Sequence, residues 1–257
     1  MEKFSVFLAD WQVLFREGIH FTLSGEEDME VIGEATDNEQ ALAFIETNAP
    51  RVAVLNIDHD RLSGIEVTRR IKQNLPEVAV ILVMESDNEE LLFLAMKSGA
   101  SACLTKDANP DELIDILRKV AQGGQPISEA LLRPEIASHV VDEFEAFSSI
   151  KEQVGDLLAR LLPVEADILR HIVNKSPIKE TAKTLGLSEE VIRHHLNLIL
   201  TKLVANDRSF EVIEAARKGL PSVISRAGKP GVEYVTRDEF KEFKEGLMER
   251  FKTFTTS

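Results

Sequence analysis

The 257-residue chain holds one cysteine, one tryptophan and one tyrosine. A lone Cys103 excludes an internal disulfide and any zinc site built from several thiolates. No apolar run approaches the roughly 18 residues that a membrane-spanning helix needs. The opening Met1-Glu2-Lys3-Phe4-Ser5 leads straight into a strand-like apolar stretch without a cleavage pattern, so no signal peptide is expected and the cytoplasm is the default. Internal repeats and low-complexity tracts are also missing. His194 and His195 are adjacent, but neighbours on a helix point about 100° apart, which argues against a shared metal. No nucleophile–base pair stands out, so neither an enzyme nor a cofactor is expected.

Positive charge is scarce overall, with a net charge of −14, but it is unevenly placed. Residues 1–125 carry 23 acids against 11 bases, whereas residues 157–221 carry 8 acids against 10 bases. Only the second half is electrostatically suited to nucleic acid, and weakly so. The first half alternates β-branched runs with amphipathic segments. Strands are predicted at Phe4–Ala9, Met29–Ala35, Arg51–Ile57, Val78–Met84 and Ala102–Thr105. Helices are predicted near 12–24, 38–47, 64–74, 88–98 and 110–121, with Asp37 and Asp87 as caps. Strand–helix repetition implies an α/β doubly wound five-stranded parallel sheet, whose working site lies at the carboxyl ends of the strands. Gly123-Gly124-Gln125-Pro126 then breaks the pattern. The expected divisions are a sheet domain (1–125), an acidic helical connector (126–156), an all-α domain (157–221), and a loop with an extra C-terminal helix (222–257).

Four stretches of the first domain carry a resemblance: Phe7-Leu8-Ala9-Asp10 with Arg16-Glu17-Gly18, Val54-Leu55-Asn56 with Ser63-Gly64-Ile65-Glu66, Lys97-Ser98-Gly99-Ala100-Ser101, and Leu104-Thr105-Lys106-Asp107. Together they resemble the receiver domain of response regulators. The resemblance implies a pocket in which an aspartate accepts a phosphoryl group. Adjacent acids would hold Mg²⁺ there, while a hydroxyl and a lysine neutralise the phosphoryl oxygens. This sequence departs at most of those positions. The acid pair is reduced to Asp10-Trp11, the acceptor position is Asn56, and the hydroxyl position is Met84; Asp10 and Lys106 remain. A carboxamide is uncharged and a poor nucleophile, so no ordinary acyl phosphate is expected at Asn56. Trp11 and Met84 are expected to fill the pocket with apolar bulk while Asp10 pairs with Lys106. Asp58 and Asp60, in the loop after the strand, are weaker acceptor candidates. The alternative is a degenerate domain kept only as a dimerisation scaffold. Cys103 occupies the aromatic switch position and reads as a small strand residue rather than a redox sensor. The run Glu85–Glu90 reads as an acidic helix start.

In the second half, predicted helices lie near 163–174, 178–185, 189–203 and 209–218. Glu165, Lys179-Glu180-Thr181-Ala182, Leu185-Gly186-Leu187-Ser188 and His195-Leu196 with Lys202-Leu203 resemble the LuxR-type helix-turn-helix of the NarL/FixJ response regulators. Gly186 suits the tight turn, and Ser188 can cap the next helix. At about 100° per residue, Ile192, Leu196, Ile199 and Leu203 share one face while Arg193, His194, Asn197 and Thr201 share the other. The resemblance places Arg193, His194 and Asn197 toward the major groove, where Arg suits guanine and Asn adenine. Lys179, Ser188 and Lys202 are expected at phosphates. The chain also departs from the family at Val191, Leu198 and Glu190, the last of which would repel phosphate.

The family's fourth helix commonly forms a dimer contact, here carried by Phe210 and Ile213. Beyond residue 221 the chain continues where the family usually stops. There Phe240, Phe243, Leu247 and Phe251 mark an amphipathic helix at 237–253. That helix can pack on its own domain, pair with a second copy or lie on a membrane; its mixed charge argues against the membrane. The expected function is that of a dimeric, DNA-binding transcriptional regulator whose control is independent of aspartyl phosphorylation, with a possible protein partner at the receiver or the C-terminal helix. A non-catalytic adaptor that binds a kinase or another regulator is the alternative.

Overall fold

The computed structural model describes residues 3–58, 62–154 and 158–219, the stretches 148–154 and 211–219 by their backbone. Strands β1 (Phe4–Ala9), β2 (Met29–Ala35), β3 (Val52–Asn56), β4 (Ala79–Met84) and β5 (Ala102–Thr105) form one parallel sheet in the order β2-β1-β3-β4-β5. Between and after them run α1 (Val13–Ser24), α2 (Asn38–Asn48), α3 (Gly64–Asn74), α4 (Glu89–Ser98) and α5 (Pro110–Ala121). β3 and β4 are buried along their whole length, as expected of strands covered on both faces. Side-chain alternation divides the core in two. Val6, Leu8, Val54, Ile81 and Leu104 pack under α1 and α5. Phe7, Leu55, Val80, Leu82 and Met84 pack under the helices of the opposite face.

Register decides what meets at the strand ends. Ala9 pairs with Leu55, so the next residues, Asp10 and Asn56, emerge side by side at the switch point between β1 and β3. Asn56 pairs with Val83 and Met84 with Thr105, which brings Met84 and Lys106 to the same edge. Gly64 is required here: a Cβ on it would lie 2.4 Å from the Asn56 carbonyl oxygen.

After the sheet a 3-10 segment (Pro126–Leu132) leads into α6 (Pro134–Val154), then α7 (Pro163–Val173), α8 (Ile178–Leu185) and α9 (Glu189–Gly219). Ile127, Leu131, Ile136 and Val140 carry the apolar core without a break from under α4 to Ile168, Leu169, Ile192 and Leu196 of the helical region. Two predictions need correction. Asn88, not Asp87, caps α4, by accepting from Leu91 N at 2.9 Å, while Asp87 pairs with Arg133 of the connector. The helices expected at 189–203 and 209–218 are one continuous helix, because residues 204–208 contain no Gly or Pro and their helix-breaking polar groups are used elsewhere. Asn206 bridges Ala159 N and O, and Asp207 pairs with Arg69 and Lys97. The helix expected at 237–253, with Phe240, Phe243, Leu247 and Phe251, lies outside the described residues, as do Asp60 and the Ile213 side chain.

Candidate functional site: a closed receiver pocket and a helix-turn-helix face

The carboxyl end of the sheet holds a pocket whose hydrogen bonds close upon themselves. Asn56 and Asp10 are both buried, at 4% and 5% exposure. Asn56 Nδ2 donates to Asp10 Oδ2 at 2.7 Å, and Asn56 Oδ1 accepts from the Asp58 backbone N–H at 2.8 Å. The second oxygen of Asp10 accepts from Gln12 N at 2.7 Å. A second carboxylate at position 56 would face Asp10 as a like charge and call for a cation between them. The carboxamide offers a donor instead, so the pair holds together without a metal.

Lys106 Nζ lies 3.3 Å from Asp10 Oδ2 and 3.0 Å from Glu85 Oε2, so the expected Asp10–Lys106 pairing is present. These are ion-pair distances without hydrogen-bond alignment, and Nζ has no directed acceptor. The rings of Trp11 and Phe15 complete its surroundings, with centroids 5.5 and 5.2 Å away. Met84 is buried in the core, at 3% exposure. Trp11, expected to fill the pocket, is 55% exposed and meets Lys106 from outside the core. It follows the last residue of its strand by two positions and lies outside the sheet core, so nothing draws the indole inward. Cys103 is half-buried, and burial pushes its thiol up to about 12, the reverse of the low value that reactivity requires.

In the helical region Gly186 takes the left-handed conformation (φ 67°) that ends α8, and Ser188 Oγ accepts from Val191 N at 3.2 Å to start α9. Ile192, Leu196, Ile199 and Leu203 are buried, and His194, Asn197 and Thr201 are exposed along the opposite face. Lys179, in the first turn of α8, and Ser188, at the start of α9, are exposed. Arg193 belongs to this face but is paired with Glu129 of the 3-10 segment, and that hydrogen bond raises its pKa above the ordinary arginine value. Lys202 is placed differently from the phosphate contact expected of it. Its ammonium donates to both oxygens of the wholly buried Glu165, at 2.8 and 2.6 Å, while Glu165 also accepts from Leu162 N and so caps α7. Sequence reasoning missed Glu129 and Asp207, since ion pairs between distant segments leave no local pattern. Phe210, expected at a dimer contact, is half-buried.

Among the described residues no helix is long and apolar enough to cross a membrane, and no cluster of His, Cys, Asp and Glu could hold a metal.

Residues 6–118 match the response regulator receiver domain. The chain is 32% identical over 220 residues to the transcriptional regulatory protein YxjL of Bacillus subtilis (strain 168), covering 85% of this chain and 98% of that protein. It is 28% identical to the transcriptional regulatory protein DegU of Brevibacillus brevis, with 84% and 94% covered. It is 27% identical to the nitrate/nitrite response regulator protein NarL of Escherichia coli (strain K12), again with 84% and 94% covered. Among solved structures, the receiver domain of a response regulator NarL from Mycobacterium tuberculosis superposes with a TM-score of 0.47 at 30% identity, covering 48% of this chain and 99% of that one. The chain belongs to the response-regulator family and is a relative of its transcriptional regulatory proteins.

Proposed function

We propose that this chain is a cytoplasmic, dimeric, DNA-binding transcriptional regulator whose receiver domain works without aspartyl phosphorylation. The observation that carries the second half of this reading is the hydrogen bond from Asn56 to Asp10. It occupies Asp10, the acid left of the family's pair, with a permanent neutral donor at the position where the family's nucleophile stands. Met84 lies in the core and Trp11 outside it, so the positions of the family's hydroxyl and second acid carry neither group. The DNA-binding half rests on the exposed stripe of His194, Asn197 and Thr201 with Arg193, opposite a buried apolar stripe on α9. Lys179 and the Ser188 helix start are the phosphate-binding groups of this reading.

The pairing of Arg193 with Glu129 favours a second reading, in which the chain is a non-catalytic adaptor and the base-reading arginine serves inside the molecule. Crosslinked-DNA sequencing of the wild type beside Arg193→Ala separates the two. Discrete peaks over an inverted repeat, lost in the variant, are expected. A wild type with no peaks above background would leave the adaptor. For the receiver, incubation with acetyl phosphate and Mg²⁺ followed by intact mass is expected to show no added phosphoryl group. An adduct that vanishes in Asn56→Ala would refute phosphorylation independence.

A further inference from the structure

The exposed stripe of α9 begins with an acid. Glu190 stands in the first turn of the helix and is exposed. At about 100° per residue it lies roughly 20° from Asn197 and from Thr201, roughly 40° from His194, and about 180° from the buried Ile199. It therefore sits within the stripe and not on its edge, one turn before His194 and two turns before Asn197.

Neither of the usual reasons for a carboxylate at a helix start accounts for this placement. An acid in the first turn gains from the helix dipole, but Glu189 already supplies one. Glu189 stands on the flank of the stripe, where its charge acts on Arg193. Glu190 is not the partner of that arginine either, because Arg193 is paired with Glu129 of the 3-10 segment. A second acid adds little at the dipole, and on a face turned toward DNA it meets a field of phosphates that repels it. Such a group is tolerated in a groove only where a donor is waiting for it.

We propose that Glu190 is a specificity-determining residue that accepts a hydrogen bond from the N4 amino group of cytosine in the major groove. This rests on the DNA binding proposed above, and adds the base that the start of α9 selects. The major-groove edge offers few donors. Guanine presents N7 and O6 and thymine presents O4, all acceptors whose lone pairs oppose a carboxylate. Adenine has a donor at N6, but its N7 acceptor lies beside it and opposes the second carboxylate oxygen. Cytosine presents the N4 donor with no acceptor on the same base edge. One carboxylate thus admits one base and penalises three. Asn197, whose carboxamide suits adenine, is seven residues further on, about 10 Å along the helix axis, so the two side chains read separate base pairs. Sequence-independent affinity comes from Lys and Arg at phosphates, and a negative charge in the stripe lowers it. Glu190 therefore raises discrimination while weakening the hold on unrelated DNA.

The test is selection from randomised duplexes at one salt concentration, using the full-length wild type, Glu190→Gln and Glu190→Ala. Glu190 is exposed, so neither substitution disturbs the core. The wild type is expected to enrich a half-site with cytosine at one fixed position. Glu190→Gln should move the preference at that position alone to adenine, because a carboxamide offers a donor to N7 and an acceptor to N6. Glu190→Ala should lose the preference there, keep the rest of the half-site, and bind an unrelated duplex more tightly. In filter binding, changing the selected C·G pair to T·A should weaken the wild type by about tenfold and leave Glu190→Ala unmoved. Variants that enrich the wild-type half-site unchanged, or whose affinity changes equally for every sequence, would overturn the proposal while DNA binding stands. A wild type that enriches no sequence would remove the DNA-binding reading itself, and this assignment with it.

Discussion

Replacing Asn56 by Asp should damage this receiver rather than repair it, unless a cation is supplied. The substitution removes the Nδ2 donor that sits 2.7 Å from Asp10 Oδ2 and puts a carboxylate oxygen in its place, with both residues about 95% buried. A hydrogen bond to a charged acceptor is worth about 1.5–3 kcal/mol. Two buried carboxylates in contact cannot both ionise freely, and one is forced to keep a proton. Lys106, 3.3 Å from Asp10, offsets part of the repulsion. The net loss at pH 8 should be about 2–4 kcal/mol, a drop of roughly 5–15 °C in Tm for a cooperative unit of this size. The assay is calorimetric unfolding of both proteins with and without Mg²⁺, at pH 5 and pH 8. The deficit should shrink at pH 5, where a shared proton restores a donor, and shrink with millimolar Mg²⁺ at pH 8. The wild type should not respond to Mg²⁺. An Asn56→Asp protein as stable as the wild type at pH 8 without metal would show that the carboxamide is not what closes the pocket.

Other predictions follow from ionisation and ion pairs. The Cys103 thiol, held up to about 12 in the fold against 9.0 otherwise, keeps its proton when folded and loses it when unfolded. Stability should therefore fall above pH 9, by about 1.4 kcal/mol at pH 10. Burial pulls Lys72 down to about 8, and this works in the opposite direction between pH 8 and 10, so the thiol is read from the difference between wild type and Cys103→Ala, whose alkaline loss should be smaller by that amount. An equal loss in the two proteins would remove the thiol as its cause. Lys202→Met leaves Glu165 buried and unpaired and should cost about 3–5 kcal/mol in urea unfolding, much of it recovered in a Glu165→Met, Lys202→Met double variant. A stable Lys202→Met that merely binds DNA less well would restore the phosphate role to this lysine. Glu129→Ala releases Arg193 from a half-exposed pair worth at most about 1 kcal/mol, so affinity for an operator should rise by no more than about fivefold in filter binding. A fall in affinity would mean that Glu129 positions the arginine rather than competing for it.

The receiver half was legible because its signals are local. Period-two and period-3.6 patterns locate the elements to within a residue or so, and parallel pairing then leaves little freedom: once β1 lies beside β3, Asp10 must meet Asn56. The departures from the family's residues were equally plain, since an amide, an indole and a thioether stand where the family has two acids and a hydroxyl. The direction in which Trp11 points was not legible. An aromatic residue beside a pocket suggests filling, but burial depends on whether the neighbouring helix leaves room, and here the pocket closes through Asn56 and Lys106 without it. The misplaced cap at α4 has a similar origin. Asp and Asn compete equally for a helix start, and the choice between Asp87 and Asn88 was settled by Arg133, 46 residues away.

The helix-turn-helix shows the limit most clearly, because its turn is local and its loyalties are not. Gly186 and Ser188 announce the turn, and the angular separation of Ile192 and Leu196 from Asn197 and Thr201 announces which face is buried. Asn206 and Asp207 look, by the same local rules, like the cap between two helices. Within the fold each has a distant partner whose geometry is compatible with an unbroken helix: Ala159 for the first, Arg69 and Lys97 for the second. Once those partners satisfy the polar side chains, the backbone has no competing acceptor and propagates, since adding a residue to an existing helix costs far less than starting a new one. The same long-range pairing removes Lys202 from the expected DNA face and engages Arg193 from outside it. Sequence periodicity therefore identifies the exposed face that is proposed to meet DNA, while the ion pairs of the folded chain decide which of its cations are free there.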